Sequence, residues 1–138
     1  MENLPIPPQE AIIYESEKLY VCLASFPLAK GHTVVVWKDV VRDLHSLDKV
    51  DFEYLMDIVD IARNVLMEVY GVDKVYLLYM DEIEHIHWHL VPRFDEKGFN
   101  VLSHAPTKLD DFSLVGSLRK IFLQKKTDYE IGVNLKNR

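Results

Sequence analysis

One long stretch of this chain repeats its apolar residues with the period of a helix. Phe52, Leu55, Met56, Val59, Ala62, Leu66, Val69 and Tyr70 recur at spacings of three and four, which puts them on one side of a single amphipathic helix. Asp48 or Asp51 is placed to cap its start, and Gly71 stands where a left-handed residue closes a helix. A helix with one apolar stripe must cover something, and the short runs around it supply the partner. Ala11–Glu15, Leu19–Ser25, His32–Trp37, Lys74–Met80 and His85–Val91 read as strands. Ser16-Glu17-Lys18 reads as a tight turn, Asp81–Glu84 as a connection short enough to make its flanking strands a hairpin, and Pro92 as the end of the second of them. Phe94–Lys108, with Gly98 and Pro106, reads as loop. Leu109–Lys125, with Phe112, Val115, Leu118, Ile121 and Phe122 in one stripe, reads as a second helix, and Tyr129–Leu135 as a last strand. Helices laid against a mainly antiparallel sheet make an α+β fold.

The 138 residues suit one domain, with residues 1–10, which carry three prolines, as an extended arm and residues 126–138 as a C-terminal tail. With 49% apolar and 28% charged residues, the chain has enough apolar surface to bury a core. Sixteen basic against 22 acidic residues leave a net charge of −6, the wrong sign for covering a long nucleic acid or an anionic membrane. A small phosphorylated ligand needs only a few local donors and stays open. The lone cysteine, Cys22, forms no internal disulfide, and no Cys-x-x-Cys pair offers a zinc site. With no basic n-region and no apolar h-region at the amino terminus, the expected location is the cytoplasm.

Three of the six histidines sit at positions 85, 87 and 89. On a strand, alternate side chains share a face, so the three imidazoles would line one side and Ile86, Trp88 and Leu90 the other. A solvated polar sheet face is one reading. Metal binding is a second, with two imidazoles and a further ligand such as His32, Asp81 or Glu84, although His85 and His89 lie about 13 Å apart along a strand, too far to share one ion. The third is nucleophilic catalysis at phosphorus, in which a neutral imidazole attacks while its neighbours position phosphate oxygens and supply protons.

His85-Ile86-His87-Trp88-His89-Leu90-Val91, followed by Pro92-Arg93, resembles the signature of the histidine-triad family. Phe26-Pro27-Leu28-Ala29-Lys30-Gly31-His32-Thr33-Val34-Val35-Val36 is similar to that family's proline-to-Gly-His loop and buried strand. Gly98-Phe99-Asn100-Val101 and His104-Ala105-Pro106 resemble the tail of its short bacterial-type members. The resemblance implies a five-stranded, mainly antiparallel sheet with one long helix and a C-terminal helix. It implies a homodimer joined edge to edge, and hydrolysis of nucleotidyl substrates, such as dinucleoside polyphosphates or nucleoside phosphoramidates, without metal or other cofactor. By position His87 matches the nucleophile that forms a covalent nucleotidyl-histidine, His85 and His89 its flanking partners, and His32 the supporting histidine of the Gly-His loop. A metal-binding enzyme and a non-catalytic nucleotide-binding dimer are the alternatives.

Two positions depart from the better-known branches. Ala24 stands where an Asp or Asn contacts the ribose, and Glu82, in the short acidic connection, stands where a hydroxyl residue precedes the triad. Glu82 is thus a candidate substrate neighbour that repels phosphate unless protonated or turned away. Arg93 is a candidate phosphate clamp or an ordinary strand-end charge. Trp88 reads as core, Cys22 as a small buried hydrophobe, and His45 and His104 as surface residues.

Overall fold

The apolar stripe of the long periodic stretch does form one helix, α1, over Lys49–Tyr70. Of the two candidate caps, Asp48 takes the role: its side chain accepts from the Asp51 N–H at 2.8 Å, satisfying one of the free donors of the first turn. Gly71 closes the helix at φ 64°, ψ 35°, a left-handed conformation that costs glycine little. The computed structural model describes residues 6–81, 83–95, 100, 103–105 and 107–132.

Five strands, β1 (Ile12–Glu15), β2 (Leu19–Leu23), β3 (Thr33–Trp37), β4 (Lys74–Tyr79) and β5 (His87–Arg93), form one antiparallel sheet in the order β1-β2-β3-β5-β4. The second helix, α2, covers Val115–Glu130. Both helices lie on one face. Leu55, Ile58, Val59, Ala62, Val65 and Leu66 of α1 and Val115, Leu118 and Phe122 of α2 are buried against Leu19, Val21, Val35, Trp37 and Leu90, and the rings of Tyr14 and Phe122 stack with centroids 4.8 Å apart. Because facing positions alternate along a strand, the opposite face carries the other half of the same residues: Cys22, Ala24, Val34 and Val36, flanked by Ile12 and Tyr20. Every residue of β3 is buried, as its run of valines suggests.

Several boundaries differ from the sequence reading. The histidine-bearing strand β5 begins at His87 and runs through Pro92 to Arg93, while His85 lies in a bend. Pro92 is tolerated for a geometric reason. The Ile86 carbonyl accepts from Trp37 of β3 at 2.9 Å, so even-numbered residues of β5 aim their main-chain groups toward β3, and β3 pairs no further than Thr33 opposite Leu90. The missing N–H of Pro92 therefore points past the end of its neighbour. The second helix starts at Val115 and not at Leu109: Asp111 accepts from the Ser113 N–H at 2.9 Å, a side-chain turn that competes with helix, and the Leu109 N–H donates to the Ser25 carbonyl at 2.7 Å. It also runs past Lys125, so residues 126–130 are helix and not tail, and Tyr129 and Glu130 belong to α2 and not to a strand. Residues 133–135 of that expected strand lie outside the described residues. The supposed arm ends in a 3₁₀ turn at Gln9–Ala11, which Arg119 of α2 ties down by donating to the carbonyls of Ile12 and Gln9. No helix among the described residues is long and apolar enough to cross a membrane.

Candidate functional site

The register of β3 against β5 sets Val36 opposite His87 and Val34 opposite His89, so both imidazoles rise from the face that the helices leave uncovered. His32 precedes β3 by one residue and comes off the loop that joins it to β2. That loop is closed by its own main chain, the Ala24 N–H donating to the His32 carbonyl at 2.8 Å and the His32 N–H to the Ala29 carbonyl at 3.1 Å. At its turn Gly31 has φ 80°, and a Cβ there would lie 2.6 Å from a ring carbon of Tyr70. Glycine is required twice over, by conformation and by space.

The hydrogen bonds fix which nitrogen of each ring carries a proton. The Leu28 N–H donates to His32 Nδ1 at 3.0 Å, so Nδ1 is an acceptor and the proton of this neutral ring sits on Nε2. His32 Nε2 lies 3.0 Å from His89 Nδ1 and donates to it. His89 must then hold its own proton on Nε2. His87 Nδ1 lies 2.8 Å from the His85 carbonyl, which can only accept, so Nδ1 carries a proton and in the neutral ring the free lone pair is on Nε2. The three rings stand in sequence, with centroids 5.2 Å apart from His32 to His89 and 5.0 Å from His89 to His87. Burial above all, and then the adjacent His89, pushes the pKa of His32 down to about 3. Burial above all, and then His87, pushes His89 down to about 4. Both are therefore neutral near pH 7, as the hydrogen-bond chain requires.

The expected residues thus divide. His32, His87 and His89 come together ring to ring. His85 joins through its carbonyl, and its Nε2 is buried with no hydrogen-bond partner among the described residues. Arg93, at the far end of β5 opposite Lys74, lines a different depression with Leu28, Lys30, Phe94 and His104. Glu82 lies outside the described residues. Among the described residues no three His, Cys, Asp or Glu side chains converge as a metal cage.

Beside His32 and His89 lies a cavity of about 170 Å³, lined mainly by Tyr20, Cys22, Ala24, Phe26, Val34 and Val36. Of these residues the sequence placed only Ala24 beside a substrate. Their signal was the period-2 alternation of β2 and β3, which becomes informative once the register says which half faces the histidines. Burial pushes the Cys22 thiol up to about 12, and burial together with Cys22 and Glu15 pushes the Tyr20 phenol up to about 12, so the wall presents neutral groups.

An antiparallel sheet covered by helices on one face, with a tautomerically fixed row of imidazoles on the other, defines a class of protein built to meet a small ligand at nitrogen. A family model described as the HIT domain matches residues 8–96, and the chain belongs to that histidine-triad family. It is 29% identical over 119 residues to adenosine 5'-monophosphoramidase HNT1 of Saccharomyces cerevisiae, covering 82% of this chain and 72% of that protein. It is 33% identical over 91 residues to an uncharacterized 13.1 kDa HIT-like protein of Mesomycoplasma hyorhinis, covering 60% of this chain and 80% of that one. Among solved structures, a hypothetical histidine triad nucleotide-binding protein of Sulfolobus tokodaii superposes with a TM-score of 0.65 at 22% identity, over 90% of this chain and 89% of the other. A histidine triad protein of Marinobacter aquaeolei gives 0.68 at 17% identity, over 82% and 88%. These two likenesses establish the fold.

Proposed function

We propose that this member of the nucleotide-hydrolysing and phosphoramidase family cleaves nucleotidyl substrates through a covalent intermediate on His87. The observation that carries the reading is the bond from His87 Nδ1–H to the His85 carbonyl, which leaves Nε2 as a neutral nucleophile aimed from the uncovered face. Its lone pair attacks the α-phosphorus, a P–N bond forms, and the bond to the leaving group breaks with its electron pair. His89, protonated on Nε2 by way of His32, is a hydrogen-bond donor for a phosphate oxygen, and His85 is the neighbour assigned to proton transfer with the leaving group. Water then attacks the phosphorus, the P–N bond breaks and the nucleoside monophosphate departs. Phosphoramidates and dinucleoside polyphosphates are the substrate classes, their nucleobase seated in the cavity beside His89. At about 170 Å³ this is below the roughly 300 Å³ of pockets that enclose a drug-sized ligand, so a flat ring enters and the phosphates stay at the histidines.

Replacing His87 by Ala should leave the fold intact and remove turnover of adenosine 5'-phosphoramidate by about a thousandfold or more. Rapid-quench mass spectrometry should find a nucleotidyl adduct on the wild type, and a chiral α-phosphorus should show net retention. No adduct together with inversion would mean direct attack by water, with His87 as a general base. We also propose that two chains pair: β4 is a terminal strand, and Leu77 and Met80 beside its free edge are 40% and 55% exposed. Light scattering giving a 16.1 kDa particle at micromolar concentration would defeat this.

A further inference from the structure

We infer that His104 is a positioning residue for the His32–His89 pair, acting through the main chain of Leu28; the inference rests on the reading of the histidine site given above. His104 is exposed and lies in a bend, yet its Nδ1 is 3.2 Å from the Leu28 carbonyl, 76 residues away in the chain. A carbonyl only accepts, so the imidazole donates. Leu28 is thereby held from both sides, its carbonyl by His104 and its N–H by His32 Nδ1 at 3.0 Å. The same segment holds the other end of the loop, where the Leu109 N–H donates to the Ser25 carbonyl at 2.7 Å. His104 and Leu109 therefore clamp the loop at Leu28 and Ser25, the stretch that leads into Gly31 and His32.

The clamp matters because the proton positions in the site depend on the direction of one amide. While the Leu28 N–H points at Nδ1, His32 can carry its proton only on Nε2, and His89 is obliged to present Nε2–H to the substrate. A main-chain hydrogen bond weakens steeply below about 120°, so a modest rotation of the Pro27–Leu28 peptide plane, which the Leu28 φ and ψ angles couple to the carbonyl held by His104, frees Nδ1. His32 then has two tautomers of similar energy, and in one of them it no longer donates to His89. Losing one hydrogen bond of ordinary strength shifts such an equilibrium by about fivefold, and the fraction of protein with a correctly prepared His89 falls with it. His104 touches neither substrate nor the reacting atoms in this account.

Three variants separate a positioning role from a merely structural one. In His104→Asn the side-chain nitrogen sits the same number of bonds from Cα as Nδ1, and it should keep the bond to Leu28. In His104→Gln it lies one bond further out, and His104→Ala has no donor. Two readouts are taken on each full-length variant: kcat and KM for adenosine 5'-phosphoramidate, and the ¹⁵N shifts of the His32 and His89 rings by long-range ¹H–¹⁵N correlation. The expected result is wild-type behaviour for His104→Asn. For His104→Gln and His104→Ala, kcat should fall about twofold, as the prepared fraction drops toward one-half, with KM little changed, and the Nδ1 and Nε2 shifts of His32 should move toward each other as the tautomers mix. Ring shifts unchanged in all three variants would overturn the inference, as would His104→Asn behaving like His104→Ala. A wild type that turns over no nucleotide would defeat the His87 mechanism alone, because the ring shifts decide the role of His104 without turnover.

Discussion

Acidification from pH 7 to pH 5 is expected to destabilise the fold by about 2 kcal/mol through His32 alone. An unfolded imidazole titrates near 6.5, whereas burial and then His89 hold His32 down to about 3 in the folded protein. Between those values the unfolded chain takes up a proton that the native state refuses, so stability rises with pH there. The contribution of this group is complete above about pH 7.5 and is lost as pH falls through 6.5, until the folded ring itself protonates near 3. From pH 7 to 5 the unfolded ring passes from about one-quarter to nearly fully protonated, and the ratio of its binding polynomials, about 25-fold, corresponds to about 1.9 kcal/mol. His89, pushed down to about 4 by burial and then His87, adds a smaller amount of the same sign, reduced because its ring is part-exposed. The assay is urea unfolding of the wild type and of His32→Gln at pH 7, 6 and 5. Gln removes the titrating ring, so its loss between pH 7 and 5 should be smaller than the wild-type loss by about 2 kcal/mol. Parallel losses in the two proteins would show that His32 is not held neutral by the fold, and the proton assignment of the site would go with it.

Gly31→Ala combines a positive φ of 80° with a 2.6 Å approach to the Tyr70 ring, and should cost about 1–3 kcal/mol in urea unfolding; Tyr70→Leu in the same chain should recover the steric part and leave the conformational part, and a Gly31→Ala as stable as wild type would refute both. Ala24 is buried in the wall of the cavity beside His89 and offers no hydrogen bond to a sugar hydroxyl, so ribo- and 2'-deoxyribonucleotide forms of the best substrate should differ by less than about 20-fold in kcat/KM. A thousandfold preference would mean that another group reads the ribose.

The sequence by itself determined what depends on neighbours a few residues apart. The three- and four-residue spacing from Phe52 to Tyr70 dictated α1, Gly71 ended it, the valines at 34–36 made a buried strand, and the alternation of histidines with Ile86, Trp88 and Leu90 separated a core face from a chemical one. Tertiary structure decided everything that joins distant segments. Strand alternation placed the rings of His85, His87 and His89 alike, yet His85 lies in the bend before β5 and not on the strand, and its carbonyl takes the task of orienting His87. Pro92 continues a strand because β3 stops short of it, and the stretch from Leu109 stays out of the helix where the Asp111 side chain takes the Ser113 N–H. The bond that unites the site, from His32 to His89, spans 57 residues. No local pattern encodes it, since it follows from the register of β3 on β5 and from a loop conformation that Gly31, Tyr70 and the clamp at Leu28 impose together. Local preference selects the elements, and the packing of one against another selects which nitrogen holds the proton.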